Sequence, residues 1–204
     1  MIIRRSAFTV LSLFFLTVIS YSQKAPIENR VLPQICVSET EQEIFRQINE
    51  YRSQKGLPPV ALSLSLTYVA QLHVWDLAEN NPVSRRCNLH SWSEKGPWSA
   101  CCYTEDQDEA GCMWNKPREL TNYPGEGYEI AYWTNEPLDP EPFAEKTIRA
   151  WKKSLPHNRV IVNSGEWRQL DWNAMGVGYY RGYAVVWFGE AEDNQYGAVH
   201  LCDN

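Results

Sequence analysis

Met175-Gly-Val-Gly-Tyr-Tyr-Arg-Gly-Tyr-Ala-Val-Val-Trp-Phe188 decides the fold class. Two β-rich runs, 175–180 and 183–188, flank the two-residue loop Arg181-Gly182, whose length and X-Gly composition favour a tight hairpin. Upstream the pattern is helical. Ser38 and Glu41 are spaced as a capping box, and Ile44, Phe45, Ile48 and Tyr51 follow at helical spacing until Gly56 and Pro58 end the element. Leu62, Leu66, Val69, Ala70, His73 and Leu77 repeat at three and four, predicting a second helix from about Ser63 to Asn80. A third helix runs from Pro140 to Ser154 with Asp139 as its cap and Phe143, Thr147, Ile148 and Trp151 inward. Tyr128 to Trp133 reads as a short strand, and Val160 to Val162 as a strand or turn. Helices come first and sheet last, without βαβ alternation, so the class is α+β.

The start of the chain points to export. Arg4 and Arg5 precede an apolar run from Ala7 to Ile19, and small residues stand at Ser20 and Ser22. That is the pattern of a secretory signal peptide, residues 1–22, too short to serve as a membrane anchor. Residues 23–35 form a short leader, and 36–204 the domain. The 204 residues carry 19 Lys and Arg against 25 Asp and Glu, a net charge of −6; loss of Arg4 and Arg5 takes it to −8. An acidic chain without a basic cluster is a poor partner for nucleic acid or an anionic membrane. No second apolar stretch approaches transmembrane length.

All six cysteines, Cys36, Cys87, Cys101, Cys102, Cys112 and Cys202, lie in the exported part. An even count in an exported chain predicts disulfides, and the absence of a paired C-x-x-C argues against a cysteine metal site. Fifteen pairings are open. Adjacent Cys101 and Cys102 would close a strained ring together, so each is expected to find a separate partner. Between Pro82 and Tyr123, cysteines, Gly, Pro and tryptophans replace periodicity, predicting an ordered, disulfide-tied loop region with one helical turn near Arg118.

Of four histidines, His73 falls on the apolar face of the second helix and reads as a hydrogen-bonded core residue. His90 follows that helix, close to Cys87. His157 follows the third helix in Trp151-Lys-Lys-Ser-Leu-Pro-His157, where Pro156 is expected to stop the helix near Ser154 and leave His157 on irregular backbone facing a cleft. In Gly125-Glu-Gly-Tyr-Glu-Ile-Ala131, strand alternation lets only one of Glu126 and Glu129 face a given cleft. Two imidazoles, a carboxylate and water would suit zinc. A serine hydrolase is disfavoured, because no G-x-S-x-G turn occurs.

These segments together resemble the CAP superfamily, also called the SCP domain, over Ile44 to Gly189. INEYRSQKGLPPVALSLSLTYVAQLHVWDLA resembles its first two helices, LHS at 89–91 its first histidine motif, and EIAYW at 129–133 the end of G-E-N-I-A-x. AWKKSLPHNRVI, MGVGYY and VVWFG resemble the bacterial form W-x-x-S-P-G-H-R…G-V-G…FG. The resemblance implies a three-layer α-β-α sandwich around a central antiparallel sheet, with a cleft holding two histidines and acidic residues. Carried over, His90 and His157 are the cleft pair and the expected metal ligands. Aligned on Ile130-Ala131, the family's glutamate falls at Tyr128. Aligned on Gly125-Glu126 it falls at Glu126, which is favoured here. Ser154 stands where eukaryotic members place a second glutamate. The cysteine-rich segment at about 92–122 has no counterpart in the family pattern.

The functional expectation is a secreted or periplasmic domain, more binder than enzyme. Its two-histidine cleft would hold a small ligand, lipid or metal, zinc being the one candidate cofactor. The partner is then a lipid, a small molecule or an extracellular protein. The alternative is a metal-assisted hydrolase of peptides or cell-envelope material, with His90, His157 and one glutamate around an open zinc position.

Overall fold

The computed structural model describes residues 32, 33, 35–195 and 200–202; the expected signal peptide and most of the leader lie outside the described residues. The elements in order are β1 (Cys36–Val37), α1 (Glu39–Gln54), β2 (Ala61–Leu62), α2 (Leu64–Asn80), α3 (Gly111–Trp114), α4 (Lys116–Leu120), β3 (Tyr128–Trp133), α5 (Pro140–Lys153), α6 (Leu155–Ile161), a 3-10 turn (Gly165–Trp167), β4 (Ala174–Tyr180), β5 (Tyr183–Gly189) and β6 (His200–Leu201).

The hairpin forms as the sequence predicts. β4 and β5 pair antiparallel with Tyr180 opposite Tyr183. Arg181 and Gly182 both take positive φ, 47° and 80°, the backbone of a type I′ turn matched to strand twist. β3 adds antiparallel to β5, and the main sheet has the order β2-β4-β5-β3. The sheet is antiparallel except at one edge, where the two residues of β2 run parallel to β4. A separate parallel pair, β1 with β6, joins the ends of the described domain beside the Cys36–Cys202 disulfide.

Helices cover both faces, giving the α-β-α sandwich. On one face α1, α5 and α6 bury Ile44, Ile48, Phe143, Ile148, Trp151 and Ile161 against Ile130, Val177 and Val186. On the other, α2 buries Leu66, Val69, Ala70 and Val74 against Val185 and Trp187. α2 lies against the backbone of β4. A Cβ on Gly176 would fall 2.0 Å from the Leu66 carbonyl carbon, and one on Gly178 would fall 2.4 Å from that of Ala70. Glycine is required there by the close approach of helix to strand.

Both halves of the Ser38–Glu41 capping box are present at α1. Glu41 is buried and also accepts from Gln71 and from the Tyr179 backbone N–H, at 3.2 and 3.1 Å, tying α1 to α2 and β4. The 82–123 region holds two short helices, α3 and α4, rather than one turn. Its disulfides are Cys87–Cys102 and Cys101–Cys112, so the adjacent cysteines do take separate partners.

Two expectations are corrected. Pro156 ends α5 but also opens a new helix, α6, because a proline in the first turn lacks only a donor that would be unpaired anyway. His157 therefore sits in the first turn of α6, not on irregular backbone. The same helix absorbs Val160 and Ile161, expected as strand or turn. Asp139 occupies the cap position of α5 without a side-chain hydrogen bond to the helix.

Candidate functional site

Glu129 is the second residue of β3, an edge strand of the sheet. Alternation turns its side chain to the α2 face, where it is completely buried. Burial alone would raise its pKa. The charge of His73 and the hydrogen bonds from His73 and His90 outweigh that and hold the carboxyl below the usual range. One carboxylate thus sits between two imidazoles. Oε2 meets His73 Nδ1 in a short contact, and Oε1 meets His90 Nδ1 at 2.7 Å.

Each imidazole is fixed by its surroundings. His73, on α2, is fully buried; its Nε2 lies 3.0 Å from the Ser91 carbonyl oxygen and its ring stacks on Trp92 at 4.3 Å with 7° between planes. His90 rides on the loop after α2, its backbone N–H donating to Asn88 Oδ1 at 3.0 Å and its ring set edge-on to Tyr103 at 5.2 Å. With Nδ1 turned to Glu129, the His90 side chain remains 17% exposed.

The cysteine-rich region builds this loop. Trp92 and Cys101 exchange backbone hydrogen bonds at 2.7 and 3.0 Å, and the Asn88 N–H donates to the Tyr103 carbonyl at 2.9 Å. The Tyr103 N–H donates to Ser91 Oγ at 2.9 Å. Asp76 of α2 accepts from the Ser93 N–H and hydroxyl at 2.7 and 2.5 Å, fastening the loop to the helix that carries His73. Lys116 is buried beneath, paired with Glu119 at 2.6 Å and 5.3 Å from the Trp92 ring centroid. Burial and the Glu129 charge both push the Tyr103 phenol up.

His157, on α6, lies near enough to feel the charges of His90 and Glu129. Burial, then the charge of His90, push it down to about 4, with Glu129 acting weakly the other way. Its imidazole is therefore neutral at physiological pH. α6 is held by α1: buried Arg52 donates to the Ile161 carbonyl and to Asn163 Oδ1, at 2.6 Å each, and the Tyr51 hydroxyl meets Asn158 Oδ1 at 2.9 Å. The Trp151 indole donates to the Ala131 carbonyl at 3.0 Å, fixing α5 to β3 two residues beyond Glu129.

The other expected residues fall outside this cluster. Glu126, the favoured carboxylate, is corrected: it lies before β3, is 43% exposed and pairs with Arg118 at 3.3 Å, while Glu129 within the strand is the one turned inward. Tyr128 points to the opposite face and packs against Trp114, Trp167 and Trp172 at 5.0 to 5.6 Å. Ser154 lies between α5 and α6 in extended backbone, and its side chain caps neither.

A catalytic zinc site uses three protein ligands and a water. Here both Glu129 oxygens are engaged by imidazoles, so the carboxylate is not open to a metal. Among the described residues, no group of three or more His, Cys, Asp or Glu gathers so as to hold a metal ion. The residues do not fit a zinc centre as they stand.

Helices on both faces of a four-stranded sheet define the class, and residues 45–189 match the cysteine-rich secretory protein family, CAP. The chain belongs to that family. An extracellular SCP-domain protein from Bacillus anthracis has a similar fold, with a TM-score of 0.51 and 20% identity over 74% of this chain and 40% of its own. An outer surface protein from Borrelia burgdorferi gives 0.51 and 17% over 76% and 96%. A cysteine-rich secretory protein from Staphylococcus aureus gives 0.47 and 19% over 74% and 38%. The chain thus spans about two fifths of the Bacillus and Staphylococcus proteins. No curated protein matches it in sequence. No helix among the described residues is long and apolar enough to cross a membrane.

Proposed function

We propose that this is an exported, non-enzymatic CAP domain that binds a small ligand beside His90 and His157. The observation that carries the reading is the Glu129 carboxylate, buried between His73 and His90 and holding His90 by Nδ1. That hold leaves Nε2 of His90 with a lone pair, beside a neutral His157. A site of two lone pairs accepts hydrogen bonds, so it favours a ligand bringing hydroxyl or N–H donors. Ser91, the one hydroxyl adjoining His90 in sequence, is buried and bonded to Tyr103, which leaves it unsuited as a nucleophile. Export is supported by the amino-terminal pattern, the three disulfides and the similarity to an extracellular Bacillus protein and an outer surface Borrelia protein.

The test is extraction of small molecules from protein secreted by its producing cells, followed by mass spectrometry. A molecule carried by the wild type and lost from both His90→Ala and His157→Ala is expected. A molecule retained equally by the variants, none in any form, or zinc-dependent hydrolysis of peptide or cell-wall material would overturn the reading.

A further inference from the structure

His73 is absent from the expected site, yet it makes more specific contacts than either cleft histidine. Both ring nitrogens are engaged, Nε2 by the Ser91 carbonyl at 3.0 Å and Nδ1 by Glu129 Oε2. A carbonyl oxygen only accepts, so Nε2 carries a proton. An ionised carboxylate also only accepts, so the proton between Nδ1 and Oε2 is donated from the imidazole side. Trp92 closes one face of the ring by stacking, and Trp187 approaches edge-on at 6.4 Å. The side chain has no exposure and no freedom to turn.

We infer that His73 is a positioning residue, which pins Glu129 from behind so that His90 is held as the Nδ1–H tautomer with Nε2 offered to the cleft. The inference rests on the reading of His90 as ligand-facing. The two oxygens of Glu129 make it a rigid link: Oε2 is fixed to the core through His73, and Oε1 then fixes His90 at 2.7 Å. Without the His73 donor, the carboxylate is free to rotate about its own side chain, and the His90 tautomer is released with it. A neutral imidazole has two tautomers, and the hydrogen bond at one nitrogen selects between them. His73 thereby sets whether the cleft atom accepts or donates.

Asn and Gln separate this role from plain packing. The Asn amide nitrogen stands close to where His Nδ1 stands, and the Gln amide nitrogen close to where Nε2 stands. His73→Asn keeps a donor to Glu129, whereas His73→Gln keeps a donor to Ser91 and loses the one to Glu129. Long-range nitrogen–proton NMR of the imidazoles, on the intact disulfide-bonded chain at mildly alkaline pH, reads the His90 tautomer directly. The expected result is a single Nδ1–H form in wild type and His73→Asn, and a loss of that single form in folded His73→Gln. Equal behaviour of the two variants would overturn the inference. So would an Nε2–H form of His90 in the wild type, a measurement that needs no variant to fold. The readout involves no ligand, so its failure leaves the binding reading standing, and failure of the extraction test leaves the tautomer result unaffected.

Discussion

Glu129→Gln would leave His73 and His90 facing a neutral amide inside the protein. Removing one partner of a buried charge pair costs about 3 to 5 kcal/mol. The expected outcome is a loss of that size in unfolding free energy by urea titration, with the far-ultraviolet spectrum unchanged below the transition; a loss under about 1 kcal/mol would show the pairing to be energetically minor. His157 supplies a pH signature. Its folded pKa, near 4, lies below its ordinary value of 6.5, so the unfolded chain binds more protons between those values. Stability from this group is unaffected above about 6.5, falls as pH drops toward about 4, and falls no further below that. His157→Gln should flatten the urea midpoint across this window, and an unchanged slope would refute the assignment. At this scale the sequence was half legible. Reading 126–133 as one extended segment required that Glu126 and Glu129 face apart, but Tyr128, Ile130 and Tyr132 are as apolar as Ala131 and Trp133, so nothing local said which face was the site. His73 did carry a signal, since a polar ring on an apolar helix face needs a partner. That partner lies 56 residues away, beyond any local pattern.

α2 and β4 touch through backbone, and the contact has no spare volume. Gly178→Ala would place a methyl 2.4 Å from the Ala70 carbonyl carbon and carbonyl oxygen, groups that have no flexible end to move aside. Overpacking of a tight core costs about 1 to 3 kcal/mol, and a backbone clash belongs at the upper end. A drop of about 3 kcal/mol is expected by urea titration, together with weaker His73–Trp92 stacking read from the shielded imidazole protons. A neutral substitution would show that α2 can slide. The hairpin, the two amphipathic helices and the α1 capping box were readable because period, turn residues and caps agree with one another. α6 was not, since Pro156 marks a helix start as well as a helix stop and only the following residues decide. The two short helices near 111–120 were hidden by the loss of periodicity among Gly, Pro and Cys, where disulfides and Trp92 supply the order that local pattern lacks.

The two ends of the described domain are closed by Cys36–Cys202 across 166 residues and by the β1–β6 pair. In the chain-entropy view, a crosslink around a loop of this length contributes about 5 kcal/mol by restricting the unfolded chain. Cys36→Ser with Cys202→Ser should lower unfolding free energy by up to about that amount while leaving the His90–Glu129 pairing intact by imidazole NMR. Loss of that pairing in the variant would show that the terminal corner supports the site directly. The α+β class was accessible from the order of elements, and the three-layer sandwich from the family resemblance. The pairing of cysteines was not, because fifteen arrangements share one sequence and only the packed chain distinguishes them.

Cys101 and Cys102 have one further effect, on biogenesis. Neighbouring side chains on extended backbone leave from opposite sides, so Cys101 reaches Cys112 while Cys102 reaches Cys87. Exchanging the two partners would require a slip of a single position and would turn Tyr103, and with it the loop bearing His90, the wrong way out. The mispaired form would forfeit the Trp92–Cys101 bridge and the Asn88–Tyr103 hydrogen bond, so thiol exchange draws the oxidising polypeptide back to the native pairing.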